Sequence, residues 1–326
     1  MGDVLGVAEV ANALSQPLCK LIEAVCAGCG KLYEPIHVRR MAKAKAEELR
    51  VIAEAVCKNR DIPIGQQEGI VLIDSQDVQS LAQRAAGRVK YQELTKQINI
   101  ESIVRDAAVE LQQEENVPDT PVDNDWMMRF FDYASGVSDE DVQKTWARVL
   151  AGEIKQPGSF SLRTVDVLRF LSKRDAVLFQ KVNEMAILSS RGPILYSDGN
   201  ILQSNGIDVY DIISLADAGL LSAESLVQSI YIEDDKKVSL HNEKYVCLIK
   251  GNSACKNSTI KYGFYSFSRA GRELRCILDF NSSLESFLQI VRDVKHKNSG
   301  FSYSVHEVSS QFENTWNYNP YDLLKD

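Results

Sequence analysis

The sequence holds little from which to build an active site. Four histidines, His37, His241, His296 and His306, are dispersed, each without a Ser, Cys or Asp at suggestive spacing. No glycine-rich phosphate loop or dinucleotide fingerprint is present. Gly158-Ser159-Phe160-Ser161 lacks the second glycine and the preceding strand of a nucleophile elbow. Cys26-Ala-Gly-Cys29 has no second cysteine pair at zinc spacing and no nearby histidine to complete a site. The expectation is a non-enzymatic protein with no catalytic residue, no metal and no cofactor.

Other features are scarce too. No apolar run is long and uncharged enough to span a bilayer. Asp3 and Glu9 sit where a signal peptide wants basic or neutral residues. Seven cysteines, an odd count in 326 residues, do not read as a disulfide scaffold, so a reduced, cytoplasmic protein is expected. A basic excess is also missing. Lys plus Arg total 37 against 45 Asp plus Glu, a net charge of −8, which argues against a global nucleic-acid surface and leaves room for a local basic patch.

What the chain does have is packing signal. Residues 4–30 carry small and apolar side chains divided by Pro17, as in short helices that dock on the body or on another copy. An interfacial membrane helix is the sharper alternative. Arg39, Arg40 and Lys43 belong to a basic segment within alanine-rich helical sequence. They are candidates for anion or nucleic-acid contact, weighed against a solvated face with intrahelical ion pairs. From Val78 to Gln113, Leu81, Ala85, Val89, Leu94, Ile98, Val104 and Leu111 recur at helical steps, which predicts one or two long helices suited to self-association. Glu114 to Asn124, with two prolines and several acids, reads as a linker.

The densest signal lies between Asp125 and Phe179. Met127, Met128, Phe131 and Ala134 give one apolar face. Ser138 with Asp141, and Ser172 with Asp175, predict capping boxes. Val142, Trp146, Val149, Leu150 and Ile154 form the next face, stopped by Pro157-Gly158. Trp126, Phe130, Trp146 and Arg163 are the candidate interaction residues. Arg163 beside Glu153 is expected to form an ion pair or an anion site.

This stretch resembles a bacterial family built on a domain of unknown function, number 2806. The likeness rests on Trp146-Ala147, Leu150-Ala151-Gly152-Glu153-Ile154 and the run Pro157 to Thr164. Residues 17–47 resemble that family's N-terminal region less specifically. The family implies no activity. A weaker likeness to helical modules of abortive-infection proteins is what brings antiphage defence into the expectations.

Further on, Leu215-Ala-Asp-Ala-Gly219-Leu-Leu221 leads into strands, and Tyr265-Ser-Phe-Ser268-Arg-Ala-Gly271 closes a strand with a capped helix. The order is similar to the end of winged-helix domains. The helix that would read DNA, Asp208 to Ala218, carries Asp208, Asp211 and Asp217 and no Lys or Arg. A basic wing with Lys236 and Lys237 keeps nucleic acid as an alternative partner.

The expected fold is mainly α with a smaller α+β part. N-terminal helices occupy 1–60 and long helices 61–118. A central helical module covers 119–190, and a winged-helix-like domain with a C-terminal tail covers 191–326. The expected function is an interaction or scaffold protein, a homo-oligomer through its N-terminal helices, with an unknown protein partner. The alternatives are a nucleic-acid-binding regulator and a membrane-active effector using residues 4–30.

Overall fold

The computed structural model describes residues 15–29, 75–189, 192–232, 237–251, 258–312 and 315–325. The chain divides into two compact units, Met1–Val165 and Asp166–Asp326, with the division inside one helix. It is a mixed α and β protein. Among the described residues the first unit is helical, and the second carries one open antiparallel sheet.

In the N-terminal unit the elements are α1 (Gln16–Cys29), α2 (Ser75–Leu111), α3 (Asn124–Ala134), α4 (Glu140–Lys155) and the start of α5 (Leu162–Phe170). Helix α3 opens where the Asp123 carboxylate accepts the Trp126 N–H at 2.9 Å. Helix α4 opens one residue later than the Ser138–Asp141 spacing predicts. Asp139 is the N-cap, and one of its carboxylate oxygens accepts the N–H groups of both Asp141 and Val142. A carboxylate at this position also suits the positive end of the helix better than a neutral hydroxyl.

The apolar faces of these helices close on one another. Trp126 stacks on Phe130 with centroids 5.0 Å apart, and Phe130 meets Trp146 edge-on at 5.1 Å. Helix α2 packs along α4 through Ile103, Val104, Ala107 and Leu111, all buried. A buried polar bridge fixes their register. The Gln143 amide donates to Asn99 Oδ1 and to the Val137 carbonyl, and the Asn99 amide donates to the Ser135 carbonyl. The Gln112–Asp123 connection, a linker by its prolines and acids, lies on the unit. Val117 is buried, and its N–H donates to Gln16 Oε1. Helix α4 stops at Lys155, and Gly158 takes the left-handed φ of +89°.

The C-terminal unit runs from the rest of α5 through α6 (Lys173–Glu184), β1 (Ile187–Ser189), β2 (Gly192–Tyr196), α7 (Gly199–Ser204) and α8 (Val209–Asp217). It continues through β3 (Leu221–Ile232), β4 (Lys237–His241), β5 (Tyr245–Gly251), β6 (Ser258–Phe267), α9 (Arg269–Arg275), α10 (Leu284–Lys297), β7 (Phe301–Phe312) and β8 (Thr315–Tyr318). The eight strands are ordered β3-β6-β2-β1-β4-β5-β7-β8. Helix α10 lays Phe287, Ile290, Val291 and Val294 on one sheet face, against Ile187, Tyr196, Ile249, Ile260 and Val305.

The β content exceeds the sequence reading. The tail after Asn298 holds β7 and β8, and β7 pairs with β5 from Tyr245↔Glu307 to Gly251↔Phe301. Asp322 closes it down, its carboxylate accepting the Val305 N–H at 2.9 Å. None of the described helices is long and apolar enough to cross a membrane.

One junction sets the geometry of the α8–β3 region. Helix α8 ends at Asp217 with Ala218 as its C-cap, and Gly219 turns the chain with φ +78°. Ser268, the N-cap of α9, accepts the Gly271 N–H at 2.9 Å while its hydroxyl donates to the Gly219 carbonyl at 2.5 Å. The Ser268 N–H donates to the Leu220 carbonyl at 3.0 Å. This approach leaves Gly271 no room for a side chain, since a Cβ there would overlap the Leu220 carbonyl oxygen. Backbone cannot yield as a flexible side chain can. Gly271→Ala is therefore expected to lower stability by about 2 kcal/mol or more, read from denaturant unfolding. A change within about 0.5 kcal/mol, the range of ordinary surface substitutions, would contradict the geometry.

Candidate interaction surface

Of the four residues expected to hold a partner, three are buried and one is exposed. Trp126, Phe130 and Trp146 are buried in the aromatic core of the N-terminal unit. The apolar periodicity that singled them out records a buried face, and neighbouring helices cover it. Arg163 is exposed on α5. The carboxylate of Glu153, itself buried, accepts the N–H groups of Gly158 at 2.6 Å and Phe160 at 2.9 Å, so it organises the turn after α4. Lys237 is exposed on β4. Arg39, Arg40, Lys43 and Lys236 lie outside the described residues, as do residues 4–14 of the proposed membrane-inserting piece.

Polar clusters in the C-terminal unit tie elements together. The Lys297 ammonium bridges Asp198 at 2.8 Å and Asp293 at 2.6 Å, and the Tyr196 hydroxyl donates to Asp293. Asp198 is also the N-cap of α7, so the cluster pins α7 and the end of α10 to β2. The hydrogen bond from Lys297 holds the Asp198 carboxyl below its usual range, against the opposing pull of burial. A second cluster centres on buried Arg275. It donates to the Asn183 carbonyl at 3.2 Å and to Asn183 Oδ1 at 2.6 Å, and it pairs with Glu243. Ser282 donates to the same Glu243 carboxylate at 2.9 Å. These contacts knit α6 and α9 to the β4–β5 turn.

Among the described residues no group of three or more His, Cys, Asp and Glu is placed to hold a metal ion. Thiol chemistry is also disfavoured at the CxxC. Burial raises the Cys26 thiol, and Cys29, whose side chain is solvent-exposed at the end of α1, is raised to about 11 by partial desolvation and by the neighbouring Cys26. Redox pairs need the opposite shift, toward thiolate.

Large exposed apolar side chains lie on α2, α3, β3 and the C-terminal tail, and one group of them lies on α8 and the helices beside it. Helix α8 begins with a capping box, Asp208 accepting the Asp211 N–H and Asp211 accepting the Asp208 N–H. Its inner face buries Ile212 and Leu215. Its outer face presents Val209, Tyr210 at 76% exposure and Ile213. Helix α6 packs beside it, with Ser214 donating to Asp175 at 3.3 Å and Arg174 lying 3.9 Å from Asp211. Val177 of α6 and Phe170 of α5 are also exposed. The Ser172–Asp175 capping box that opens α6 forms as its spacing predicts. Sequence reasoning passed over Tyr210 and Ile213. The signal was available as two apolar residues on the face of α8 opposite Ile212 and Leu215.

With this geometry the chain can be set against known proteins. The family model described as "Protein of unknown function (DUF2806)" matches residues 83–292, more than half of the chain. The protein belongs to that family. The matched region takes in most of α2, the aromatic core, the α8 face and the sheet as far as α10, and it begins beyond residues 17–47. Neither the curated proteins nor the solved structures contain a match.

Burial lowers the pKa of His241 below its ordinary 6.5, with the Glu243 charge opposing. Its ring packs 4.6 Å from Trp316, and its Nδ1 is buried without a hydrogen-bond partner. A base whose folded pKa is depressed gives stability that is whole above the unfolded value and is lost as pH falls through the folded one. The melting temperature should therefore drop as pH falls from about 6.5 toward 5, and His241→Phe should flatten that slope. Equal slopes for the two proteins would contradict the assignment.

Proposed function

We propose that this protein is a non-enzymatic interaction protein whose C-terminal unit binds another protein through the exposed face of α8. The observation that carries the reading is the make-up of that face. Val209, Tyr210 and Ile213 stand in water beside Asp208, Asp211 and Asp217, with no Lys or Arg on the helix. Exposed aromatic and aliphatic side chains with a polar rim suit a protein partner. Carboxylates at that position repel phosphate.

A winged-helix arrangement around α8 is part of this reading. It is supported by the order α6, β2, α7, α8, β3, β6, with β6 lying between β3 and β2 in the sheet. The β4–β5 hairpin then occupies the place of an enlarged wing. The reading sets the protein in the cytoplasm, where its cysteines stay reduced. The competing site for self-association is α2, where Val89 and Tyr91 are exposed.

A second reading, contact with nucleic acid, has one observation behind it. Lys237 and Lys250 lie directly opposite each other in the β4–β5 ladder, and both are exposed. Like charges in that position are unfavourable until an anion arrives.

The primary reading is tested by affinity purification of tagged protein from its source cells. Tyr210→Asp and Ile213→Asp are expected to cut the recovery of a stoichiometric protein partner more than tenfold, a loss typical of a hot spot. Their melting curves should stay close to wild type, because both side chains are exposed. Undiminished recovery of that partner by both variants would overturn the reading.

A further inference from the structure

Strand β3 stands at one end of the sheet and has a single strand neighbour, β6. Its ladder with β6 is regular from Ser225↔Tyr265 to Ile232↔Ser258, after an irregularity between Leu221 and Ser225. Over those eight residues the opposite edge carries no backbone hydrogen bond to another element among the described residues. Natural sheets blunt a long free edge with Lys, Pro, a bulge or a covering element. The stretch Ser225-Leu-Val-Gln-Ser-Ile-Tyr-Ile232 has no charged residue, no proline and no glycine. Leu226, Val227 and Tyr231 are exposed, Val227 at 70%. At the other end of the sheet β8 has only four residues.

We propose that two copies of this chain pair edge to edge through β3, antiparallel about a two-fold axis at Gln228. The occupant is a second copy because the edge is complementary to itself. In that register Leu226 faces Ile230 of the other copy on the face that also carries Ile232. On the opposite face Val227 meets Ser229, and Ser225 meets Tyr231. Gln228 meets Gln228, and an amide offers both a donor and an acceptor, so it satisfies its own image. In one copy the Gln228 amide reaches only the adjacent Ser229 carbonyl at 3.4 Å, a weak hydrogen bond. No charge faces a charge within the strand pair, which matters for two chains of net charge −8. A paired edge of this length makes about eight backbone hydrogen bonds. It buries less than the roughly 1,200 Å² of a stable specific interface, so the dimer is reversible and depends on concentration.

This surface is distinct from the α8 face, and the two tests do not share a variant. The experiment is sedimentation of the full-length protein over roughly 1–100 µM, a range in which mass action reveals reversible dimers. Wild type should move toward twice the monomer mass. Gln228→Lys should stay at monomer mass throughout, because two ammonium groups then meet at the axis. Circular dichroism matching wild type shows that this variant is folded. Gln228→Cys supplies the second arm. Under mild oxidation it should form a disulfide between two copies at position 228, identified by mass spectrometry of the linked peptide. A wild-type protein that is monomeric at every concentration would overturn the proposal. So would a folded Gln228→Lys variant that dimerises as wild type does, which moves self-association to α2. A folded Gln228→Cys variant that yields no such cross-link would also overturn it.

Discussion

The placement of the exposed α8 face and of the free β3 edge depends on one close contact. Ser268 binds the Gly219 and Leu220 carbonyls while capping α9, and Gly271 allows the helix to come against that peptide. The contact joins the end of β6 to the point where α8 turns into β3. With Gly219 in the left-handed region, the turn is sharp and its direction is fixed. Leu215 and Leu220 are buried on the inner side, so Tyr210 and Ile213 can only point outward.

Both units leave some apolar side chains in water, and they differ in what they enclose. The N-terminal unit encloses Trp126, Phe130 and Trp146 and leaves the N–H groups of both indoles buried without partners. That arrangement accepts a polar cost in order to pack large rings tightly. In the C-terminal unit α10 seals one face of the sheet, while α8 and β3 leave apolar side chains in water. Its ionisable clusters, around Lys297 and Arg275, hold elements in place.

Much of the local structure was legible because cap chemistry is local. Ser172 with Asp175, Ser268 before α9 and Gly219 after α8 each signal a helix end through the hydrogen bonds their own backbone neighbours require. Helix α7 is short and opens on Asp198-Gly-Asn200, a run that suits a turn as well as an N-cap. The β7 and β8 strands were missed, since a serine-rich alternation has little apolar signal until it pairs. The family likeness read from Trp146 to Thr164 held, and the matched region runs on as far as α10. Trp126, Phe130 and Trp146 read as an interaction face and lie buried for a different reason. Periodicity shows that a helix has an apolar face, and only the fold shows whether another helix covers it. The β3 edge was hidden likewise, because alternation does not say how many neighbours a strand has.

The central claim is that the outward face of this protein is made for protein and not for phosphate. Fluorescence anisotropy of a labelled generic DNA duplex, titrated with the full-length protein at low ionic strength, tests it most directly. Low salt maximises any attraction between lysines and the backbone. The account predicts no binding beyond the background of an acidic protein. Saturable binding that weakens steeply as salt is raised, and that is lost when Lys237 and Lys250 become glutamates, would contradict it.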